Sequence, residues 1–96
     1  MNIKVLRMWS GEDVVTDVLA EDEDFLTITN PIVAVPAGQG QLGFAPWAPL
    51  LKGKDVELRI QKAYVVYVSE ANDSIESQYT EMFSVIATPP KSGLIL

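Results

Sequence analysis

The chain holds no cysteine and no histidine among its 96 residues. Without a thiol there is no disulfide, no thiolate nucleophile and no cysteine-ligated zinc. Without an imidazole, the commonest general base and the commonest transition-metal ligand are missing. A Ser-His-Asp or Cys-His arrangement is therefore impossible within the chain. No pair of titratable residues stands out as a matched acid and base, so the expectation is a protein that is not an enzyme and carries no cofactor or metal. Long apolar runs are missing too: none approaches the roughly 18–20 residues of a membrane-spanning helix. The start, "MNIKVLRMWSGED", lacks the charged segment and apolar stretch of a secretory leader. A cytoplasmic protein with no membrane partner is expected. Positive charge is also scarce. Thirteen acids against seven bases give a formal net charge of −6, which disfavours loose attraction to phosphate backbones.

What is present points to one packed domain spanning residues 1–96. A hydrophobic content of 48% is that of a globular core rather than of a disordered chain. The charge is uneven. Every charged residue from Glu12 to Asp24 is an acid, whereas Lys52, Lys54, Arg59 and Lys62 cluster later.

The apolar pattern is that of short strands. "IKVLRMW" (3–9) carries apolar residues on both faces, and Ser10-Gly11 marks a turn. "EDVVTDVLA" forms a second strand, and "EDED" a charged connection. "FLTITNPIVAVP" forms a third, broken at Asn30-Pro31; Pro31 has no N–H to donate, so this run bends there or lies at an edge. Pro46 and Pro49 deny "LGFAPWAPLL" a regular central strand or helix. "VELRI" alternates as a short strand, and "KAYVVYVSE" is dense in β-branched and aromatic residues. Only "NDSIESQYTEMF" reads as a helix. Asp73 is its expected cap with Glu76 completing a capping box, and Ile75, Tyr79, Met82 and Phe83 form one apolar stripe. That stripe would cover the domain's own open end or a neighbouring subunit. Short strands with turns between them suggest a small barrel, expected over about 3–69, with the helix over about 73–84 and an extended proline-containing tail over 85–96.

Two patterns suggest binding chemistry and then fail on context. "GQGQLG" (38–43) has the glycine spacing of a dinucleotide turn, but that turn must open a helix, and "FAPWAP" cannot be one. A glycine loop between strands is the better reading. Glu21-Asp22-Glu23-Asp24 offers oxygen ligands, but it lacks the glycine and the distant bidentate glutamate of a calcium loop. A solvated turn is expected instead. Among the aromatics, Phe25 and Trp47 sit in turn or loop contexts, where a ring could stack on a base.

The N-terminal third, "VLRMWSGEDVVTDVLAEDEDFLTITNP", resembles the first motif of Sm-like (LSm) proteins. Gly11, Val14, Thr16, Val18 and Asp22 fall on that motif's turn, apolar, small and acidic positions. "NPIVAVP", "LGFAPWAPLL" and "AYVVYVSEANDSIESQYTEMF" resemble a subgroup of small Sm-like proteins encoded by tailed phages. The resemblance implies a mainly β fold: a strongly bent, five-stranded antiparallel barrel, here with one C-terminal helix. It implies a cyclic homo-oligomer made by pairing the fourth strand of one subunit with the fifth of the next. Phe44, Trp47, Tyr64, Val66 and Tyr67 would lie at that interface. It also implies single-stranded RNA as partner, a base being clamped between the turn after the second strand and an Arg-Gly in the second motif. The Arg-Gly is missing here, and Glu70 is expected near its place. Carried over to this chain are Asp22 and Phe25, with no basic partner; phosphate contacts of an RNA-binding ring would fall to the separate basic cluster Lys52, Lys54, Arg59 and Lys62. The acidic surface, the "FAPWAP" loop and the "SGLIL" end favour a second reading. That reading is a protein-binding ring or adaptor in phage assembly or host interaction, without nucleic acid.

Overall fold

A computed structural model describes residues 1–36, 38–48 and 55–83. It is mainly β. Six antiparallel strands, β1 (Ile3–Met8), β2 (Asp13–Glu21), β3 (Phe25–Pro36), β4 (Leu42–Pro46), β5 (Glu57–Gln61) and β6 (Val65–Glu70), form one open sheet, and a single helix follows, α1 (Asp73–Phe83). The sheet runs β4-β3-β2-β1-β6, and β5 also pairs β3. Because β2 takes one edge of β3 along most of its length, β4 and β5 lie end to end on the other edge. Six strands thus fill five ranks. The expected count of five missed one because the chain leaves β3 after Pro46 and returns to it at Glu57. "GQGQLG" is the β3–β4 hairpin and the start of β4. Gly38, Gln39 and Gly40 all have positive φ, and the Gln41 N–H closes the turn on the Gly38 carbonyl at 2.9 Å.

The break expected at Asn30-Pro31 is a bulge within a continuous strand. Asp17 pairs with Thr29 and Val15 with Ile32, so Asn30 and Pro31 together oppose Thr16. The extra residue reverses the alternation of β3. Leu26 and Ile28 therefore pack with Leu6, Met8 and Val14, while Ile32 packs with Ile3, Val15 and Tyr79 on the other side. Pro31 costs no ladder bond, since it falls in the gap between the β5 and β4 pairings. Asn30 adopts φ 50°, a left-handed conformation that asparagine tolerates and β-branched residues do not. Its side chain is bonded in both directions to Asp55, which is also left-handed (φ 65°): Asn30 Nδ2 donates to Asp55 Oδ1 at 2.8 Å, and the Asp55 N–H donates to Asn30 Oδ1 at 2.9 Å. Asn30→Val is expected to lower stability by about 2–3 kcal/mol. Asn30→Gly, which accepts the same φ, should lose only about 1 kcal/mol. Urea unfolding of the two variants compares the effects; equal losses would mean that φ carries no cost here.

α1 is capped by Asn72 and not by Asp73: the Asn72 side-chain oxygen accepts the Ile75 N–H at 2.9 Å. Asp73 instead lies in the first turn with Glu76, where both acids favour the helix dipole. Of the expected stripe, Ile75, Tyr79 and Phe83 pack on the sheet of their own chain, whereas Met82 is exposed. The strand expected over 62–70 begins only at Val65, because a single 3₁₀ turn, Lys62–Tyr64, carries the chain from pairing β3 to pairing β1. Backbone bonds pin both ends of that turn, Lys62 N–H to the Asp24 carbonyl at 2.8 Å and Trp9 N–H to the Tyr64 carbonyl at 2.9 Å. The 85–96 tail lies outside the described residues. No helix among the described residues is long and apolar enough to cross a membrane.

Candidate nucleic-acid interface

The pairing of β5 with β3 sets the 3₁₀ turn beside the turn that joins β2 to β3. That β2–β3 turn is built by Asp22. Its Oδ1 accepts the N–H groups of Asp24 (3.0 Å) and Phe25 (2.9 Å), and its own N–H donates to the Phe25 carbonyl at 3.0 Å. A short side chain that satisfies the amides two and three residues on is the reason aspartate suits this position. The turn delivers Phe25 as the first residue of β3, directly opposite Gln61 of β5, with Thr27 opposite Arg59. The Arg59 guanidinium carbon then lies 4.0 Å from the centroid of the Phe25 ring, and Nη2 reaches Asp22 Oδ2 at 2.9 Å. Lys62 completes the group, its ammonium 2.6 Å from the Glu21 carboxylate. Between the two turns lies a recess of about 370 Å³ lined by Glu23, Asp24, Phe25, Gln61, Lys62 and Ala63.

Four of the six residues expected to bind RNA, Asp22, Phe25, Arg59 and Lys62, therefore converge from two distant parts of the chain. Lys52 and Lys54 lie outside the described residues. Sequence reasoning missed Gln61 and the turn itself. Glu70, expected beside the second-motif turn, ends β6 and pairs with Lys4. The available signal was the polar pair Gln61-Lys62 between the two apolar runs "VELRI" and "YVVYV". Of the expected interface residues, Phe44 packs with the cluster of Ile3, Val15, Ile32 and Tyr79. Trp47 packs against that of Leu6, Met8 and Val14, with its indole N–H on Glu12 at 3.2 Å. Tyr64, Val66 and Tyr67 remain exposed.

The charges at this end are largely spent on one another. Arg59 and Lys62 are each paired with a carboxylate, while Glu23 and Asp24 make no ion pair among the described residues. Among the described residues a phosphate would meet little free positive charge there. An aromatic ring with a guanidinium on it instead offers stacking, which is indifferent to net charge. Among the described residues no group of carboxylates is gathered as a metal cluster. The Asp22 carboxyl is held below its ordinary range, chiefly by the Asp24 N–H, then by the Arg59 guanidinium and the Phe25 N–H. A depressed folded pKa means that this contribution is complete above the unfolded value and is lost as pH falls through the folded one. The turn should thus stay intact at neutral pH and loosen only in acid below about pH 4. Side-chain NMR titration should show the Asp22 midpoint rising in Arg59→Ala; an unchanged midpoint would mean that the pair contributes nothing in solution.

No protein-family model matches the chain, and comparison with curated proteins finds no match.

Proposed function

We propose that this chain is an Sm-like protein whose subunits join edge to edge in a ring and bind single-stranded RNA by stacking a base at the Phe25–Arg59 end. The observation that carries the reading is the convergence of Asp22, Phe25, Arg59 and Lys62. The two turns that meet there correspond to those between which the Sm resemblance implies a clamped base, with Gln61-Lys62 standing where the Arg-Gly is missing. RNA-binding modules commonly take unpaired bases on aromatic or arginine faces, and this end provides both.

Assembly is supported by β6. It ends the sheet, bonded to β1 on one side, and no described strand pairs its outer edge. Tyr64, Val66, Tyr67 and Val68 are 60%, 53%, 46% and 49% exposed. A bare, apolar strand edge is an aggregation hazard unless another strand covers it. Closing the five ranks into a barrel and pairing β6 with the β5 rank of a neighbour are parts of the same proposal. Val66→Lys, which puts a charge beside that edge, is expected to convert an oligomer of about five to seven subunits into monomer. Light scattering at physiological salt checks this; a wild-type monomer would remove the ring.

One observation favours the protein-binding reading: the two described cations at the site, Arg59 and Lys62, are already paired with carboxylates. Titration with labelled single-stranded RNA separates the two. Saturable binding supports the RNA reading, and its absence from an intact oligomer leaves the protein adaptor.

A further inference from the structure

β5 is the strand that brings Arg59 to Phe25, and it is lightly held. It is five residues long, and among the described residues it pairs with β3 alone. None of its side chains is fully buried; Leu58 and Ile60 only flank the core of Leu6, Met8 and Val14. A strand with so few buried contacts is where a fold opens locally. Its place therefore depends on how its two ends are fixed. At the far end the Lys62 N–H donates to the Asp24 carbonyl at 2.8 Å.

The near end is fixed by side chains of the β3 bulge. Asn30 and Asp55 exchange two bonds, at 2.8 and 2.9 Å, and the Thr29 hydroxyl donates to the Val56 carbonyl at 3.0 Å. Asn30 and Asp55 are both left-handed, at φ 50° and 65°. A residue other than glycine is strained there, and the strain persists only while its surroundings impose it. Here the two residues impose it on each other, so the clasp closes or opens as a whole. Asp55 is exposed, and no packed layer seals the clasp from outside. From the helix, the Tyr79 hydroxyl is bonded to the carbonyls of Thr29 and Asn30. α1 and β5 thus grip the same two residues.

We propose that the Asn30–Asp55 clasp is a conformational latch on β5. Closed, it holds β5 on β3 and keeps the Arg59 guanidinium 4.0 Å from the Phe25 ring centroid. Open, it releases β5 from β3 at the Glu57 end and breaks the Arg59–Phe25 contact. Tyr79 makes α1 part of the same opening unit. The latch switches the Phe25 end between a formed and an unformed state, and it stands whatever ligand that end binds.

The test is hydrogen–deuterium exchange of the full chain, read residue by residue by NMR at several low urea concentrations. The amides of 57–61 are expected to exchange faster than those of β1 and β2, at rates that low urea barely changes, because a local opening exposes little surface. Asp55→Gly accepts the left-handed φ and removes the carboxylate of the clasp. It should speed exchange at 57–61 about tenfold, and Asn30→Gly should do the same. Tyr79→Phe should speed the same amides, since the opening also breaks its bonds to the bulge. If 57–61 exchanges only with β1 and β2, at their rates and urea dependence, β5 has no opening of its own and the latch is overturned. A local opening that neither glycine variant speeds would overturn it equally. Unchanged exchange at 57–61 in Tyr79→Phe would overturn the tie to α1.

Discussion

Tyr79→Ala should be the most destabilising single substitution in the helix, costing about 3–5 kcal/mol and lowering the thermal midpoint by on the order of 20 °C. Two effects combine at this residue. Its ring is fully buried among Ile3, Val15 and Ile32 and packs on Phe83 at a centroid distance of 4.7 Å. Its hydroxyl seals the β3 bulge. The Asp17 N–H donates to it at 3.0 Å, and its proton is shared between the carbonyls of Thr29 (3.1 Å) and Asn30 (2.9 Å). Thr16 closes the same gap from the other side, its hydroxyl donating to the Thr29 carbonyl at 2.7 Å. A bulge interrupts the ladder and leaves backbone groups in need of partners, and buried ones are costly unless satisfied. Tyr79→Phe separates the two effects. It keeps the ring and strands the Asp17 N–H, for about 1–3 kcal/mol.

The same residue makes stability depend on pH at the alkaline end. Burial raises the Tyr79 phenol above its ordinary value. A raised folded pKa leaves stability intact below the unfolded value of about 10 and removes it as pH rises beyond that. Tyr79→Phe should abolish this alkaline loss. Denaturant melts of both proteins at pH 8 and above pH 10 measure it, and an identical alkaline loss in the variant would place its origin elsewhere.

Phe25→Ala should produce the largest change in binding. Removing one stacking platform costs about 1–3 kcal/mol per base, so RNA affinity should fall roughly 5- to 150-fold, with the oligomer unchanged. Phe25 is only partly buried at the start of β3, so the fold should tolerate the change. Arg59→Ala should weaken binding less, because its guanidinium is already engaged with Asp22. Since the two described cations of the site, Arg59 and Lys62, are paired, affinity should fall only gently with salt, unlike a complex held by many phosphate contacts. Anisotropy titrations at two salt concentrations read both effects. A steep salt dependence with no loss in Phe25→Ala would move the site to another surface.

Most of the strands could be read directly from the pattern. Phe25–Pro36 matches the expected third strand at both ends, since a run dense in Ile, Val and Thr bounded by an acidic turn and a glycine loop leaves little choice. The Asn30-Pro31 break was legible because proline cannot donate to a ladder. Its consequence, the reversal of faces between Ile28 and Ile32, was not, because it depends on the register with β2. The turn at Lys62–Tyr64 was hidden because Ala63 and Tyr64 extend a β-rich run without a glycine or proline to mark the bend. Only the pairing of β5 with β3 and of β6 with β1 forces it. The same turn decides the candidate site. Asp22 and Phe25 were singled out by resemblance, and Arg59 and Lys62 as part of a basic cluster. That they meet follows from strand pairing over more than thirty residues, a non-local fact that local pattern does not hold.

The most direct test of the account is ultraviolet crosslinking of a single-stranded RNA to the full chain, with the adducts mapped by mass spectrometry. The account predicts adducts on Phe25 and on the Gln61–Tyr64 turn, lost in Phe25→Ala. Adducts confined to α1 or β6, or none under conditions where the RNA is retained, would contradict it.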